Sequence, residues 1–437
     1  MQTLIKNIGL LAGIQEMPKT ILRGAEMAEY HTLANAWLVL DNGRISDYGR
    51  MPDYPIPAEM QMVIDAGGGA VFPSFCDSHT HLVYAGSREG EFVDKIRGIS
   101  YAEIAKRGGG ILNSADRLHE ASEEELYEQA MRRIREILLK GTGAVEIKSG
   151  YGLNTADELK MLRVIRRIKQ TTPIKVIPTF LGAHAVGREY VGRQSEYVDM
   201  IINEMIPAVA EEKLASYIDV FCDKGFFTFE ETCRILEAGA RYGLRGKIHG
   251  QELADSGGVE AAVKHYALSV DHLESMTDRD IELLKEAHLS GNTDAQTTSK
   301  TIEAPEGAVK GAPIPTALPG ASFFLNMPFA PGRKIIDAGL PLALASDYNP
   351  GSTPAGDMKF IVSLACMKMH LLPAEALNAA TINSAAAMGL SDEYGCIRRG
   401  CIANIFITDP IPSIDYIPYA YASPTVKRVF LQGIEYR

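Results

Sequence analysis

A chain of 437 residues has room for one large domain with a satellite, or for two domains, and is too long for a small binding module. Lysine and arginine number 44 against 55 aspartate and glutamate, a net charge of −11 without a basic block; this argues against nucleic acid or anionic lipid as partner and for a small-molecule substrate. With 46% hydrophobic and 23% charged residues, the composition is that of a soluble globular protein and excludes disorder.

The first fifteen residues carry one lysine and a short apolar run with no small-residue cleavage site, and no stretch of about 18 apolar residues follows anywhere, so neither an export signal nor a membrane span is expected. Up to about residue 70 the chain reads as short strands and turns. Residues 36–40 and 44–49 flank a tight turn at Asp41-Asn-Gly43 and predict a β-hairpin. The rhythm then changes to apolar runs separated by charged helical patterns, for example at 123–140, 157–170 and 278–286. Buried strands are predicted at 71–77, 143–148, 174–180, 218–222, 245–249, 268–271, 314–318 and 342–345. Eight such strand-helix units, without a glycine fingerprint after the first strand, suit an α/β fold of the (β/α)8 TIM-like barrel type better than an open doubly wound sheet. Gly108-Gly-Gly110 is read as part of a long loop, and 290–311 as a polar inserted loop. Residues 395–408 and 426–433 return to β character, so both chain ends are expected to share one sheet. Six cysteines, mostly far apart and without a C-x-x-C pair, suit a reduced cytoplasmic protein.

In a barrel of this kind the active site forms where the strands end. Asp77-Ser-His-Thr-His81 follows the first strand, His184 the third, His249 ends the fifth, Asp271-His272 the sixth and Ser346-Asp347 the eighth, so five of the ten histidines fall on one rim. His79 and His81, two apart on extended chain, project to the same side, and with His249 and Asp347 they make a three-nitrogen, one-oxygen set suited to zinc or iron. The competing structural reading makes His249 a core histidine and Asp347 a cap. An ion held by such a set lowers the pKa of bound water to about 7 and polarises a carbonyl, which predicts hydrolysis. His272 is then a candidate acid/base, with the orientation of a neighbouring ligand as its alternative role, and Asp347 is a candidate proton acceptor as well as ligand. Arg88 is close enough to that loop to clamp a substrate carboxylate, though a lone arginine also serves as a surface ion pair. Tyr101, Tyr151, His184 and Glu252 are ordinary in isolation and are raised only by sharing the rim.

F-x-D-S-H-T-H at 75–81, His249 and the final Ala345-Ser-Asp347 resemble the metal-dependent amidohydrolase superfamily, whose fold is the barrel plus a small β-sandwich domain built from both chain ends. That resemblance implies boundaries at 1–72, 73–390 and 391–437. The strings at 146–153, 179–184, 219–222, 271–274, 318–323 and 346–352 resemble, more narrowly, the branch of that superfamily that opens the cyclic amide of 4-imidazolone-5-propanoate to N-formimino-L-glutamate in histidine degradation. The resemblance implies metal ligands His79, His81, His249 and Asp347 for one Zn2+ or Fe3+ per chain. It implies substrate contacts at Arg88, Tyr101, Tyr151, His184, Glu252, Asn349, Gly351 and Ser352, catalytic roles among Glu252, His272 and Asp347, and a homodimer.

The polar segment 290–315 is longer than expected before the seventh strand, and Gln251 occupies a place where an acid is expected. Three rival readings stay open here. One is a purine, pyrimidine or triazine aminohydrolase, which needs no carboxylate clamp. Another is a dinuclear enzyme with a carboxylated Lys148. The last is a metal-less scaffold, which has no physical need for four converging ligands.

Overall fold

Strands β1 (Gln2–Ile14), β2 (His31–Asp41) and β3 (Arg44–Arg50) pair antiparallel in a computed structural model that describes residues 2–51, 61–99, 103, 109–290 and 311–436. The β2–β3 turn consists of Asn42 and Gly43 at φ 47° and 79°, the doubly left-handed geometry that follows the twist of a two-residue hairpin and that an Asn-Gly pair adopts at little steric cost. β4 (Met62–Asp65) and β5 (Ala70–Pro73) both pair parallel with β1.

At Ser74 the chain changes sheet. β6 (Phe75–Asp77) begins a second sheet that continues through β7 (Thr142–Lys148), β8 (Lys175–Ala183), β9 (Tyr217–Cys222), β10 (Arg245–Gly250), β11 (Ser269–His272), β12 (Ile314–Ala317) and β13 (Ala343–Leu344), all parallel and in sequence order. The run at 71–77 is therefore two strands and not one, because Pro73 has no N–H with which to extend a central ladder and Ser74 N donates instead to Asn404 O. Helices occupy the crossovers, including Glu123–Leu139, Thr155–Thr171 and Asp278–Ser290. The first of these starts in a capping box: Ser122 Oγ accepts from Glu125 N while Glu125 accepts from Ser122 N.

β6 and β13 are too short to zip the barrel shut as strands, and the residues just beyond them complete the seam. Asp347 N donates to His79 O at 3.0 Å and His81 N to Tyr348 O at 2.9 Å, while Ser346 N donates to Asp77 Oδ1 at 2.9 Å. Closure thus brings the first and eighth strand ends into register at the positions singled out for metal binding.

β14 (Ile405–Thr408), β15 (Val426–Leu431) and β16 (Ile434–Tyr436) return to the first sheet, where β14 pairs antiparallel with β5. The two chain ends share one mixed sheet, separate from the barrel, in the order β16-β15-β14-β5-β1-β2-β3. Of the stretch at 395–408, only the last four residues are strand. Phe406 stacks on Phe72 at 5.3 Å and lies 5.1 Å from Phe75, which joins the sheet to the barrel's first strand. Tyr101 and residues 291–310 of the polar segment lie outside the described residues.

Candidate active site

His79 and His81 follow β6 on extended chain, His249 sits in β10, His272 ends β11 and Asp347 follows β13; all five are almost fully buried. His249 Nε2 lies 3.4 Å from His81 Nε2, and Asp347 Oδ1 lies 3.7 Å from His79 Nε2 and 3.6 Å from His81 Nε2. A tetrahedral ion with bonds of about 2.0–2.1 Å sets its ligands roughly 3.3–3.4 Å apart, so each of these three spacings is close to what an ion shared by that pair requires. The donor atoms fall in three overlapping triads: His79 with His81 and Asp347, His81 with His184 and His249, and His79 with His249 and His272. His79 Nε2 has no hydrogen-bond partner among the described residues despite its burial.

The outer nitrogens explain which atoms point inward. His79 Nδ1 donates to Asp271 Oδ2 at 2.7 Å, and His249 Nδ1 lies 3.0 Å from Asp219 Oδ2. With the proton on Nδ1, each ring presents the lone pair of Nε2 to the centre, the tautomer a metal needs. Burial, with the nearby Lys148 ammonium and the other rings, holds His79 well below the usual histidine range; burial and His184 do the same to His81. Neutral imidazoles facing one another across 3.4 Å are the donor set a metal ion takes, and the residues present fit one. Ser352 Oγ donates to Asp347 Oδ2 at 2.9 Å, leaving Oδ1 toward the histidines. Asp347 and His272 take φ of 54° and 86°, a left-handed backbone uncommon outside glycine, and such strain is a mark of functional positions.

Beside the cluster stands a second group of ionisable side chains. His272 Nε2 is 3.7 Å from Glu252 Oε2 and its Nδ1 3.6 Å from Glu274 Oε2, while Glu274 Oε1 accepts from Ser322 Oγ at 3.0 Å. Burial, reinforced by Glu274 and Asp347 and opposed by His272, raises the Glu252 carboxyl above the carboxylate range. Burial would lower His272, but Glu252 and Glu274 outweigh it and raise the imidazole.

The cluster opens into a cavity of about 630 Å3 lined by His81, Arg88, Tyr151, His184, His249, Glu252, His272, Asp347, Asn349, Gly351 and Ser352, within the range of small-molecule sites. Each of those positions, read from the sequence as a site residue, is brought together here. Arg88 is largely buried at this wall, where among the described residues its acidic neighbour is Glu91, Oε2 lying 3.6 Å from Nε. His184 Nδ1 donates to Gly150 O at 2.8 Å, which frees Nε2. Asn349 works on its own loop: Oδ1 accepts from Gly351 N and Ser352 N at 2.7 and 2.8 Å, and Nδ2 donates to Asp347 O at 2.8 Å. Asp219 and Asp271 orient His249 and His79, and Glu274 and Lys95 also reach the site; sequence reading assigned none of these four a role. The Asp271-His-Leu-Glu274 string was the signal available for Asp271 and Glu274.

Lys148 does not face this cavity. Its Nζ is fully buried at 2.6 Å from Glu146 Oε1 and 2.7 Å from Asp219 Oδ2, so it is an ion-paired ammonium, which removes the support for a carboxylated lysine bridging two metals. Gln251 points away too, its Nε2 donating to Asp255 Oδ1 and Asp280 Oδ1 at 3.2 Å; an acid there would confront two carboxylates.

The profile of the Amidohydrolase family matches residues 70–434. The imidazolonepropionase of Christiangramia forsetii is 49% identical over 99% of both chains, and that of Thermoanaerobacter pseudethanolicus 39% identical over 93% of this chain and 91% of its own. Among solved structures, Escherichia coli guanine deaminase superimposes with a TM-score of 0.71 at 12% identity, over 100% of this chain and 99% of its own. Zinc-complexed atrazine chlorohydrolase from Arthrobacter aurescens gives 0.69 at 16%, over 99% and 94%. At such identity these two speak to the fold alone.

Proposed function

The chain belongs to the imidazolonepropionase family of the amidohydrolases, and from that membership we propose that it hydrolyses the cyclic amide bond of 4-imidazolone-5-propanoate to N-formimino-L-glutamate, the third step of histidine degradation. The observation that carries the reading is the convergence of His79, His81, His249 and Asp347 at a cavity whose wall also carries a largely buried arginine.

In this reading those four residues hold one Zn2+ or Fe3+ per chain, since both accept the set. The ion supplies Lewis acidity when bound: it lowers the pKa of a water and polarises the ring carbonyl. Arg88 takes the propanoate carboxylate through two parallel N–H donors, with Tyr151 beside it, and Tyr101 belongs to the same proposed contact set. His184 faces the substrate through Nε2. Asn349 and Ser352 keep Asp347 aimed at the histidines, and Gly351 leaves the space that Arg88 fills. Glu252 and His272 hold the attacking water and carry its proton to the ring nitrogen as the C–N bond parts; holding them in place lowers the entropic barrier. The same reading takes the chain as a cytoplasmic homodimer with boundaries at 1–72, 73–390 and 391–437. Among the described residues no helix is long and apolar enough to cross a membrane.

An anaerobic spectrophotometric assay of the purified protein on freshly generated 4-imidazolone-5-propanoate tests this directly. Conversion to N-formimino-L-glutamate is expected, with one metal ion per chain, loss of turnover on chelation and recovery on adding the ion back. A protein carrying one ion per chain that leaves the imidazolone intact overturns the choice of substrate.

A further inference from the structure

The helix Glu89–Ile96 follows the His79–His81 segment and buries none of its residues fully, yet Arg88 at its N-cap and Phe92, Lys95 and Ile96 along it all line the cavity. Spacings of four, seven and eight residues from 88 place these side chains on one helical face. Helical side chains lean toward the N-terminus, so Lys95 reaches back in the direction of Arg88. Phe92 stacks on Phe324 at 5.4 Å and anchors that face, and Lys95 Nζ lies 5.4 Å from the same ring.

Both cations converge on Gly351. Lys95 Nζ donates to Gly351 O at 3.3 Å, while Arg88 Nη2 sits 0.9 Å from where a Cβ of residue 351 would be. Arg88 Nε and Nη1 are buried without a hydrogen-bond partner among the described residues. Glu91 is the acid of this wall, 3.6 Å from Arg88 Nε, and its Oε1 is already occupied by Gly110 N at 3.1 Å and Asn113 Nδ2 at 3.0 Å. Burial first, then Arg88, depresses the Lys95 ammonium, with Glu91 opposing. Among the described residues, Arg88 and Lys95 share on this wall Glu91, a carboxylate already partly engaged, while the cavity's other acids, Glu252 and Asp347, stand with the histidines; Arg88 Nε and Nη1 are thus left to face an anion in the cavity.

We propose that Lys95 is the second cation of the substrate's carboxylate site, closing on the anion opposite Arg88 and setting the enzyme's preference for a ring that carries an acidic side chain. The inference rests on the functional reading above, which places a propanoate on the ring. Arg88 offers a planar fork and Lys95 a rotatable ammonium that has donors beyond the one on Gly351 O, so one carboxylate satisfies both. A substrate with an uncharged arm leaves two partly buried cations unmatched, and rejection of this kind is stronger than a shape filter gives. The same carboxylate ties the helix to the loop that carries Asp347, because both cations touch Gly351.

The test compares the metal-loaded protein with its Lys95→Met and Lys95→Arg variants. Calorimetry measures binding of 3-(imidazol-4-yl)propanoate and of 4-propylimidazole, which replaces the carboxylate by a methyl group; turnover of 4-imidazolone-5-propanoate is followed in parallel. Lys95→Met is expected to lower the preference for the carboxylate about ten- to hundredfold, leave 4-propylimidazole binding within about threefold, and raise KM far more than it lowers kcat. Lys95→Arg is expected to restore most of the preference. Since 4-propylimidazole reports an intact cavity, a Lys95→Met protein that binds it normally and keeps its carboxylate preference within about twofold overturns the proposal. A Lys95-dependent preference in a protein that does not turn over the imidazolone supports the anion site and overturns the substrate assignment alone.

Discussion

A Cβ built on Gly351 falls 0.9 Å from Arg88 Nη2 and 2.1 Å from its Cζ, so any side chain at 351 must evict the guanidinium. The backbone there is not left-handed, and the constraint is one of space. What it meets is the far end of a long side chain, which can swing away without disturbing the barrel. Gly351→Ala is therefore expected to leave the melting temperature nearly unchanged, to raise KM for the imidazolone about tenfold or more, and to alter kcat little, as loss of uniform binding does. Equal losses of kcat and kcat/KM would instead place Arg88 in the transition state alone. A fall in thermal stability without a KM effect would show that the glycine serves the fold.

Beneath the site, neighbouring strands contribute a fully buried set of charges: Glu146 and Lys148 from β7, Asp219 from β9, Lys247 from β10 and Asp271 from β11. Lys148 bonds Glu146 and Asp219 and lies 3.6 Å from Asp271, while Lys247 bonds Glu146, Ser78 O and Ala387 O. Burial alone would lower Lys148, but Asp219, Glu146 and Asp271 together outweigh it and raise the ammonium. Because Asp219 and Asp271 also face His249 and His79, the ion pairs brace the inward turn of both rings. Lys148→Met strands carboxylates in the barrel and is expected to cost about 3–5 kcal/mol in urea unfolding. The unaltered enzyme, whose lysine is never the free amine that carboxylation needs, is expected to show the same activity and one metal per chain with or without bicarbonate. Bicarbonate-dependent uptake of a second ion would defeat this account. The strands that carry these charges were legible in the sequence, since short apolar runs bounded by turn residues leave little choice of element; each of the eight predicted segments coincides with a barrel strand, the first only in its second half. There the proline at 73 was the unused signal. The grouping of His79, His81, His249 and Asp347 was legible because all four are strand-end residues, fixed by the fold. Lys95 was not, for its approach to the site depends on the path taken by the helix after β6, which local sequence does not specify.

Phe406 joins the two ends of the chain to everything between them. It stands on β14, is almost fully buried against Phe72 of the mixed sheet and Phe75 of the barrel, and packs over Gly141, whose φ of 95° brings the chain into β7 with no side chain in the way. This contact lies at the start of β6 and β7, whereas the histidines stand beyond their ends, so the ring and the active site occupy opposite ends of the barrel. The sheet takes β1 and β5 from the beginning of the chain and β14, β15 and β16 from its end, so it cannot assemble without the barrel that separates them in sequence. One cooperative transition is expected for both parts, and weakening their joint should shift it as a whole rather than split it. Phe406→Ala removes the shared ring and is expected to cost about 3–5 kcal/mol, read as a lower urea midpoint with an unchanged slope. At temperatures where the variant is still folded, metal content should stay at one per chain and kcat/KM within about twofold of the unaltered enzyme. Two separated transitions would show that sheet and barrel fold independently. A large loss of kcat/KM at unchanged stability would show that the barrel's lower end governs the geometry of the histidines at its rim.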